Sequence, residues 1–271
     1  MQTMFSRREI GLLLAAIGLL ALAVLGPTLA QPAHLNDYAD QRTLWGLPFA
    51  LDVLSNLPFA LMGAAGIGAL VRAPAGAPAR VERTMAGLFF AGLVLTAGAS
   101  GWYHLAPDDM GLAVDRLGMS VAFAGLLGLA AAGRVSGRAG AAVGAAVLVL
   151  APAGVQVWSA TGNVLPWAVV QFGGMGLILW LAALRPVAGT LEVRWGLVIL
   201  AYALSKLLEV NDPGVYELTG QLVSGHSLKH VVASLAALPV IGAIRRRARF
   251  AQNAASAGAR NGLARRPASH A

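Results

Sequence analysis

Three histidines have the spacing to act together. His226 and His230, in "SGHSLKHVVA", stand four residues apart and share one helical face. His104 closes "SGWYH", where Ser100 is likewise four residues before it, and Asp115 follows eleven residues after His104, across a turn through Pro107 and Gly111. Three imidazoles at one level are the ligand set of a catalytic zinc site with an open fourth position. Such a metal lowers the pKa of its bound water to about 7 and polarises a carbonyl oxygen. Asp115 is suited to accept the proton of that water, and Ser100 to donate a hydrogen bond to the developing oxyanion. The chain has no cysteine, so disulfides are excluded and any metal rests on His, Asp or Glu. Imidazole also suits iron, nickel or copper; zinc is preferred because hydrolysis needs no redox change. Of five histidines, the other two, His34 and His270, read as surface residues, and Asp108 and Asp109 as solvated turn charges.

Whether these residues meet depends on the elements that carry them. At 57% hydrophobic and 12% charged residues, the chain reads as an integral membrane protein. Eight apolar runs approach or reach spanning length, at roughly 9–29, 48–71, 85–105, 113–133, 139–157, 165–184, 193–210 and 222–244. Their Ala, Gly and Leu content, as in "MGAAGIGAL", suits close helix packing. No period-2 alternation appears, so the spans read as helices and not as a β-barrel. The expected fold is an all-α polytopic membrane protein with a seven-transmembrane-helix core and one extra N-terminal transmembrane helix. The net charge of +8 sits in short loops and one tail, which reflects topology and not a nucleic-acid partner.

With Arg7 and Arg8 cytoplasmic, the inside segments carry Arg72, Arg80, Arg83, Arg134, Arg138, Arg185, Arg194 and the "RRRAR" run from Arg245. The outside segments carry only Arg42, against Asp37, Asp40, Asp108, Asp109, Asp212 and Glu217, a positive-inside pattern. Trp45, Trp102, Trp158 and Trp167 then fall near outer ends and Trp180 and Trp195 near inner ones, as aromatic belts do. The third run ends outside, while the fourth and eighth begin there. Topology alone thus brings Ser100, His104, Asp115, His226 and His230 to one outer depth, where ionisable residues default to function. "SRRE", an apolar run and "PTLAQ" also fit a signal peptide cleaved near Ala30, but the run is long for that purpose and favours a retained helix with both termini cytoplasmic. The domains expected are 1–34 (N-terminal segment and extra helix), 35–244 (core) and 245–271, a basic tail expected to be disordered.

Ser-x3-His followed by Asp eleven residues on, with "HSLKH" near the C-terminus, resembles the alkaline ceramidase family. That family belongs to a group of seven-helix membrane hydrolases that includes the adiponectin receptors. The likeness covers about residues 35 to 244. "LDVLSNLPFALMG" is similar to the family's first core helix, where an acidic residue precedes Ser-Asn, and "YADQR" and "KLLEVND" are nearer the bacterial branch. The resemblance implies zinc on His104, His226 and His230, water activation by Asp115, and a tetrahedral intermediate steadied by Ser100. The implied reaction is hydrolysis of a ceramide-like lipid, drawn from the bilayer, to a fatty acid and a sphingoid base. It implies a bacterial inner-membrane location with the site toward the periplasmic face. Animal members also carry a calcium site in the acidic segment before the first core helix, and Asp37, Asp40 and Asp52 fall at matching places. Arg42 stands where the family has a neutral oxygen ligand, so calcium and an ion pair of Arg42 with Asp40 or Asp52 both stay open.

Other polar groups have simpler readings. Asn56 is expected to hydrogen-bond to a neighbouring helix, Lys206 and Glu209 to form an ion pair, and Arg116 to pair with an acidic neighbour or snorkel outward. Lys229 lies beside the ligands on a different face, and Tyr103 is either a donor behind the site or an interfacial tyrosine. Two rival functions keep the fold: hydrolysis of another N-acyl lipid, or a receptor-like or structural protein with a vestigial metal site. Ser100 and Asp115 separate them, since a structural site needs neither. A transporter is disfavoured because the polar residues gather at one face and do not line a path through the midplane.

Overall fold

The computed structural model describes residues 5–33 and 36–264, with side chains as far as Ser256; His34 and His270 lie outside the described residues. Among these residues the chain is helical, with two isolated bridges, Ala30 to Asn163 and Leu44 to Leu47. The helices are α1 (Arg7–Leu25), α2 (Ala50–Leu54), α3 (Leu57–Arg72), α4 (Arg80–Leu105), α5 (Asp109–Arg134) and α6 (Gly137–Thr161). Then come α7 (Leu165–Ala168), a π-helical turn (Val169–Gly173), α8 (Gly174–Ala183), α9 (Trp195–Val210), α10 (Asp212–Leu218), α11 (Gly225–Ser234) and α12 (Ala237–Ala264). Seven helical segments among the described residues are long and apolar enough to cross a membrane: Arg7–Leu25, Ala50–Arg72, Arg80–Leu105, Asp109–Arg134, Gly137–Thr161, Leu165–Ala183 and Gly225–Ser256. The remaining apolar run forms α9, whose 16 residues span about 24 Å against a hydrocarbon core of about 30 Å.

Local chemistry sets the helix ends. Ser6 and Glu9 form a reciprocal capping box at α1. The carboxylate of Asp108 accepts the Gly111 N–H at 2.6 Å and starts α5, so Asp108 is a helix cap and not a free turn charge. Ser136 and Ser224 cap α6 and α11 in the same way. The expected unbroken run over 48–71 is interrupted at Ser55–Asn56. Pro58 begins α3 without a backbone donor, and Asn56 Nδ2 donates to the Asp52 carbonyl at 2.8 Å. Asn56 thus bridges a break in its own element and does not reach a neighbouring helix. At the other terminus, the segment expected to be disordered from residue 245 is helical as far as Ala264. Its Ala, Arg and Gln content favours helix, and no proline intervenes before Pro267.

Glycine sets the register between α4 and α5. A methyl group on Gly111 would stand 3.2 Å from the Tyr103 Cα, and one on Gly118 3.2 Å from the Thr96 Cα. Added to Gly125 or Gly92, it would collide with the backbone of Phe89 or Ala122. The two helices therefore touch backbone to backbone along their length, in an antiparallel register that sets Asp115, between Gly111 and Gly118, against Ser100.

At the end away from His104, arginines hydrogen-bond the carbonyls that helix C-termini leave free. Arg83 donates to Leu70, Ala73 and Pro74, Arg134 to Leu184, and Arg8 to Arg134 and Arg185. Helix α1 is fastened there, with Arg138 and Ser136 on Glu9 at 2.6 and 2.7 Å. Its far end is held by Leu29 N–H to Asn163 Oδ1 and Val164 N–H to the Leu29 carbonyl. Between these fastenings an apolar cleft of about 430 Å³ separates it from α6 and α8.

Candidate metal centre

His104 comes from the last turn of α4, and His226 and His230 from the start of α11. Their ring centroids form a near-equilateral triangle with sides of 4.8, 4.9 and 5.2 Å. They are 1%, 6% and 6% exposed. One nitrogen of each lies within 4.8 Å of the others, and no other set of three His, Asp or Glu among the described residues has that property. The Nε2 atoms of His104 and His226 are 3.2 Å apart. Two ligands at about 2.0–2.1 Å from a tetrahedral metal stand about 3.4 Å apart, so this spacing fits an ion between them.

The surrounding hydrogen bonds orient the rings. The Ser55 hydroxyl donates to the Asp52 carbonyl at 2.9 Å and lies 2.8 Å from His230 Nδ1. With that proton on the Asp52 carbonyl, the Ser55 oxygen can accept from a His230 Nδ1–H, the tautomer that leaves the Nε2 lone pair for a metal. Asp212, at the start of α10, accepts the His226 backbone N–H at 2.7 Å through one oxygen and the Ala39 N–H at 2.9 Å through the other. Close approach of α11 to α9 makes this reach possible: a methyl group on Gly225 would clash with the Leu208 carbonyl and the Asp212 backbone. The segment around Tyr38 is thereby drawn over the site, and the Tyr38 ring lies 4.2 Å from His226 and 5.0 Å from His104 by centroids. Burial, with Tyr103 alongside, pushes the Tyr38 phenol well above its ordinary range, so it stays neutral. His104 Nδ1 is buried and has no partner among the described residues.

Ser100 is buried one turn before His104, and the α4–α5 register sets the half-buried Asp115 against it. Asp115 Oδ1 is buried with no partner among the described residues. Ser55, Asp212 and Tyr38 were missed as supports of the site. Nothing periodic marks them, although "DVLSN" and "NDPG" place polar residues where apolar runs break.

The three aspartates considered for calcium are not brought into a cluster of the kind the histidines form. Asp40 is held bidentately by Arg42, whose Nε and Nη2 each lie 2.7 Å from a carboxylate oxygen, and Arg42 also donates to the Leu222 carbonyl. Burial disfavours the Asp40 charge, but the hydrogen bonds and charge of Arg42 outweigh it and hold the carboxyl below its ordinary range. Asp52 is fully buried and accepts the Ser227 hydroxyl at 2.6 Å. Asp37 is exposed.

Three other expectations change. Arg116 neither pairs with a carboxylate nor snorkels: it is buried, stacked 4.0 Å over Trp158, and donates to Gln31 Oε1 at 2.8 Å. Trp158 and Trp167 consequently point into the bundle around it, and Trp195 is buried too, while Trp45, Trp102 and Trp180 are exposed. Tyr103 is buried and bonds Asn36 and Tyr38, which makes it a support of the segment over the site. Lys206 does pair with Glu209, and Lys229 joins the same carboxylate.

No protein-family model matches the chain, and no curated protein or solved structure matches it.

Proposed function

We propose that this protein is a zinc-dependent hydrolase of lipid amides, embedded in a bacterial inner membrane and similar in chemistry to the alkaline ceramidases. The reading rests above all on one observation: a buried triangle of imidazoles, with buried Ser100 one turn before His104 and half-buried Asp115 set against it by the α4–α5 register. Iron, nickel or copper would also accept three imidazoles; zinc is preferred because hydrolysis needs no redox change. In this proposal α9 crosses as an eighth, shorter span, seven helices form the core and α1 is the extra one. The arginine-rich end is cytoplasmic and the histidine end faces the periplasm.

His104, His226 and His230 would hold the metal, which would supply Lewis acidity to the amide oxygen and to the attacking water. Asp115 accepts the proton from the attacking water through its unpartnered Oδ1 and returns it to the departing nitrogen as the C–N bond breaks. Ser100 turns its O–H from Asp115 to the amide oxygen as negative charge builds there. The products are a fatty acid and a long-chain amine. In this reading an amide near the interface reaches the centre while its chains stay in lipid, and the segment carrying Tyr38, held by Tyr103, moves aside to admit it.

The test is to purify the protein, measure its zinc content, and incubate it with ceramide and other N-acyl lipids with and without a chelator, identifying products by mass. Zinc-dependent release of fatty acid supports the proposal. Hydrolysis at full rate in metal-free protein, or none from any N-acyl lipid by the zinc-loaded protein, overturns it.

A further inference from the structure

Beside the metal centre lies a charged group that the hydrolytic chemistry leaves unused. Lys206 from α9 and Lys229 from α11 each bring an ammonium to 2.5 Å from a different oxygen of Glu209. Two cations thus share one anion. Leu197, Leu200, Leu204 and Leu207 form the exposed apolar face of α9. At 3.6 residues per turn, Tyr202, Lys206 and Glu209 stand on the opposite side, toward the bundle. Even so, the side chains of Lys206, Glu209 and Lys229 remain 26%, 31% and 18% exposed. They are therefore reachable from the molecular surface and not sealed in the core.

Tyr202 belongs to the same stripe. Its hydroxyl is buried with no hydrogen-bond partner among the described residues, and its ring lies 5.7 Å from the Lys206 ammonium. Lys229 directly precedes His230, and its charge acts on all three imidazoles and on Asp115. Each ammonium has three donors, and one carboxylate does not use them all. An excess cation within a span is costly unless an anion offsets it. Asp115 and Asp52 also lie in the field of Lys229, but among the described residues only Glu209 comes within ion-pair distance of either ammonium.

We propose that Lys206, Lys229 and the Tyr202 hydroxyl form an anion-binding subsite next to the metal centre, and that the acyl lipid taken there carries a phosphate or carboxylate close to its amide. This rests on the hydrolase reading for the identity of the amide, though not for the binding itself. A neutral ceramide would leave the subsite empty, whereas a phosphorylated or carboxylated N-acyl lipid would fill it.

The experiment uses zinc-loaded full-length protein in phosphatidylcholine nanodiscs, in an Asp115→Asn background so that probes are not consumed. Three lipids with one acyl chain compete against a fluorescent neutral N-acyl lipid: N-acylethanolamine, its phosphate ester, and N-acylglycine. The two anionic lipids should bind at least tenfold more tightly than the neutral one. Lys206→Met and Lys229→Met should each reduce that preference below threefold while zinc content and neutral-lipid binding persist. Glu209→Gln, which removes the internal competitor, should widen the preference; a merely structural ion pair would not move it. Equal affinity for all three lipids, or a preference untouched by Lys206→Met, overturns the proposal. Inorganic phosphate that abolishes the anionic preference at concentrations no higher than those of the competing lipids assigns the subsite to free phosphate and overturns the lipid assignment. Anionic preference without any hydrolysis in the unmodified protein overturns only the hydrolase reading, and hydrolysis with equal binding overturns only the subsite.

Discussion

Replacing Asp212 by asparagine should loosen the metal centre without touching a metal ligand. Asp212 is 7% exposed and accepts two backbone donors, His226 N–H at 2.7 Å and Ala39 N–H at 2.9 Å. A hydrogen bond to a charged group contributes about 1.5–3 kcal/mol. Asparagine keeps one oxygen and turns an NH₂ toward the other donor, so one such bond is lost. At about 1.4 kcal/mol per tenfold, full coupling to the position of His226 weakens zinc binding by roughly 10- to 100-fold, the range typical of residues behind a ligand shell. Asp212→Ala strands both donors and should weaken it further. Competition titration against a chromophoric zinc chelator in detergent measures this, with a thermal melt to show that the helices remain. An alanine variant that binds zinc within threefold of the unmodified protein would refute the reasoning, because neither bond could then be holding His226 in place.

The remaining expectations concern the chemistry, the packing and the acid limb. Ser100→Ala and Asp115→Asn should keep one zinc per chain but lower lipid hydrolysis by about 10²–10³-fold; unchanged turnover would leave only a structural metal site. Gly125→Ala drives a methyl group into the Phe89 backbone and should cost about 1–3 kcal/mol or more. Gly98→Ala, where the space is open, should be neutral or stabilising by about 0.5–1 kcal/mol, and thermal melts of the two variants compare them. Asp40, held low by Arg42, stabilises fully above the unfolded carboxyl pKa of about 4 and loses that contribution as pH falls through its lower folded value. Asp40→Asn should therefore flatten the acid limb of the melting temperature against pH, most of all below pH 4, and an unchanged limb would show that the pair adds nothing.

What the sequence made legible was whatever repeats along a helix or follows from crossing order. The apolar runs located the helices, and alternation of direction brought His104 to the level of His226 and His230. The supports of the site follow no such rule. Ser55 sits at a helix break, Asp212 opens a helix of seven residues, and Tyr38 lies in an irregular segment. Each acts through contacts to distant parts of the chain. Arg116 and the two tryptophans around it were misplaced for a related reason: depth along a helix was readable, whereas facing inward or outward depended on partners from three separate segments. Asp40 is the intermediate case, because its bond to Arg42 is local enough to be anticipated.

The glycine contacts between α4 and α5 imply something about inheritance. A slip of one helical turn, about 5.4 Å, would move Asp115 off Ser100 and leave both residues intact but separated. The juxtaposition of Ser100 and Asp115 is thus specified partly at Gly92, Gly118 and Gly125, up to two turns or more away along the helices. Drift at those positions could silence the site while every signature residue survives, so a descendant chain would keep the motif and lose the trade it served.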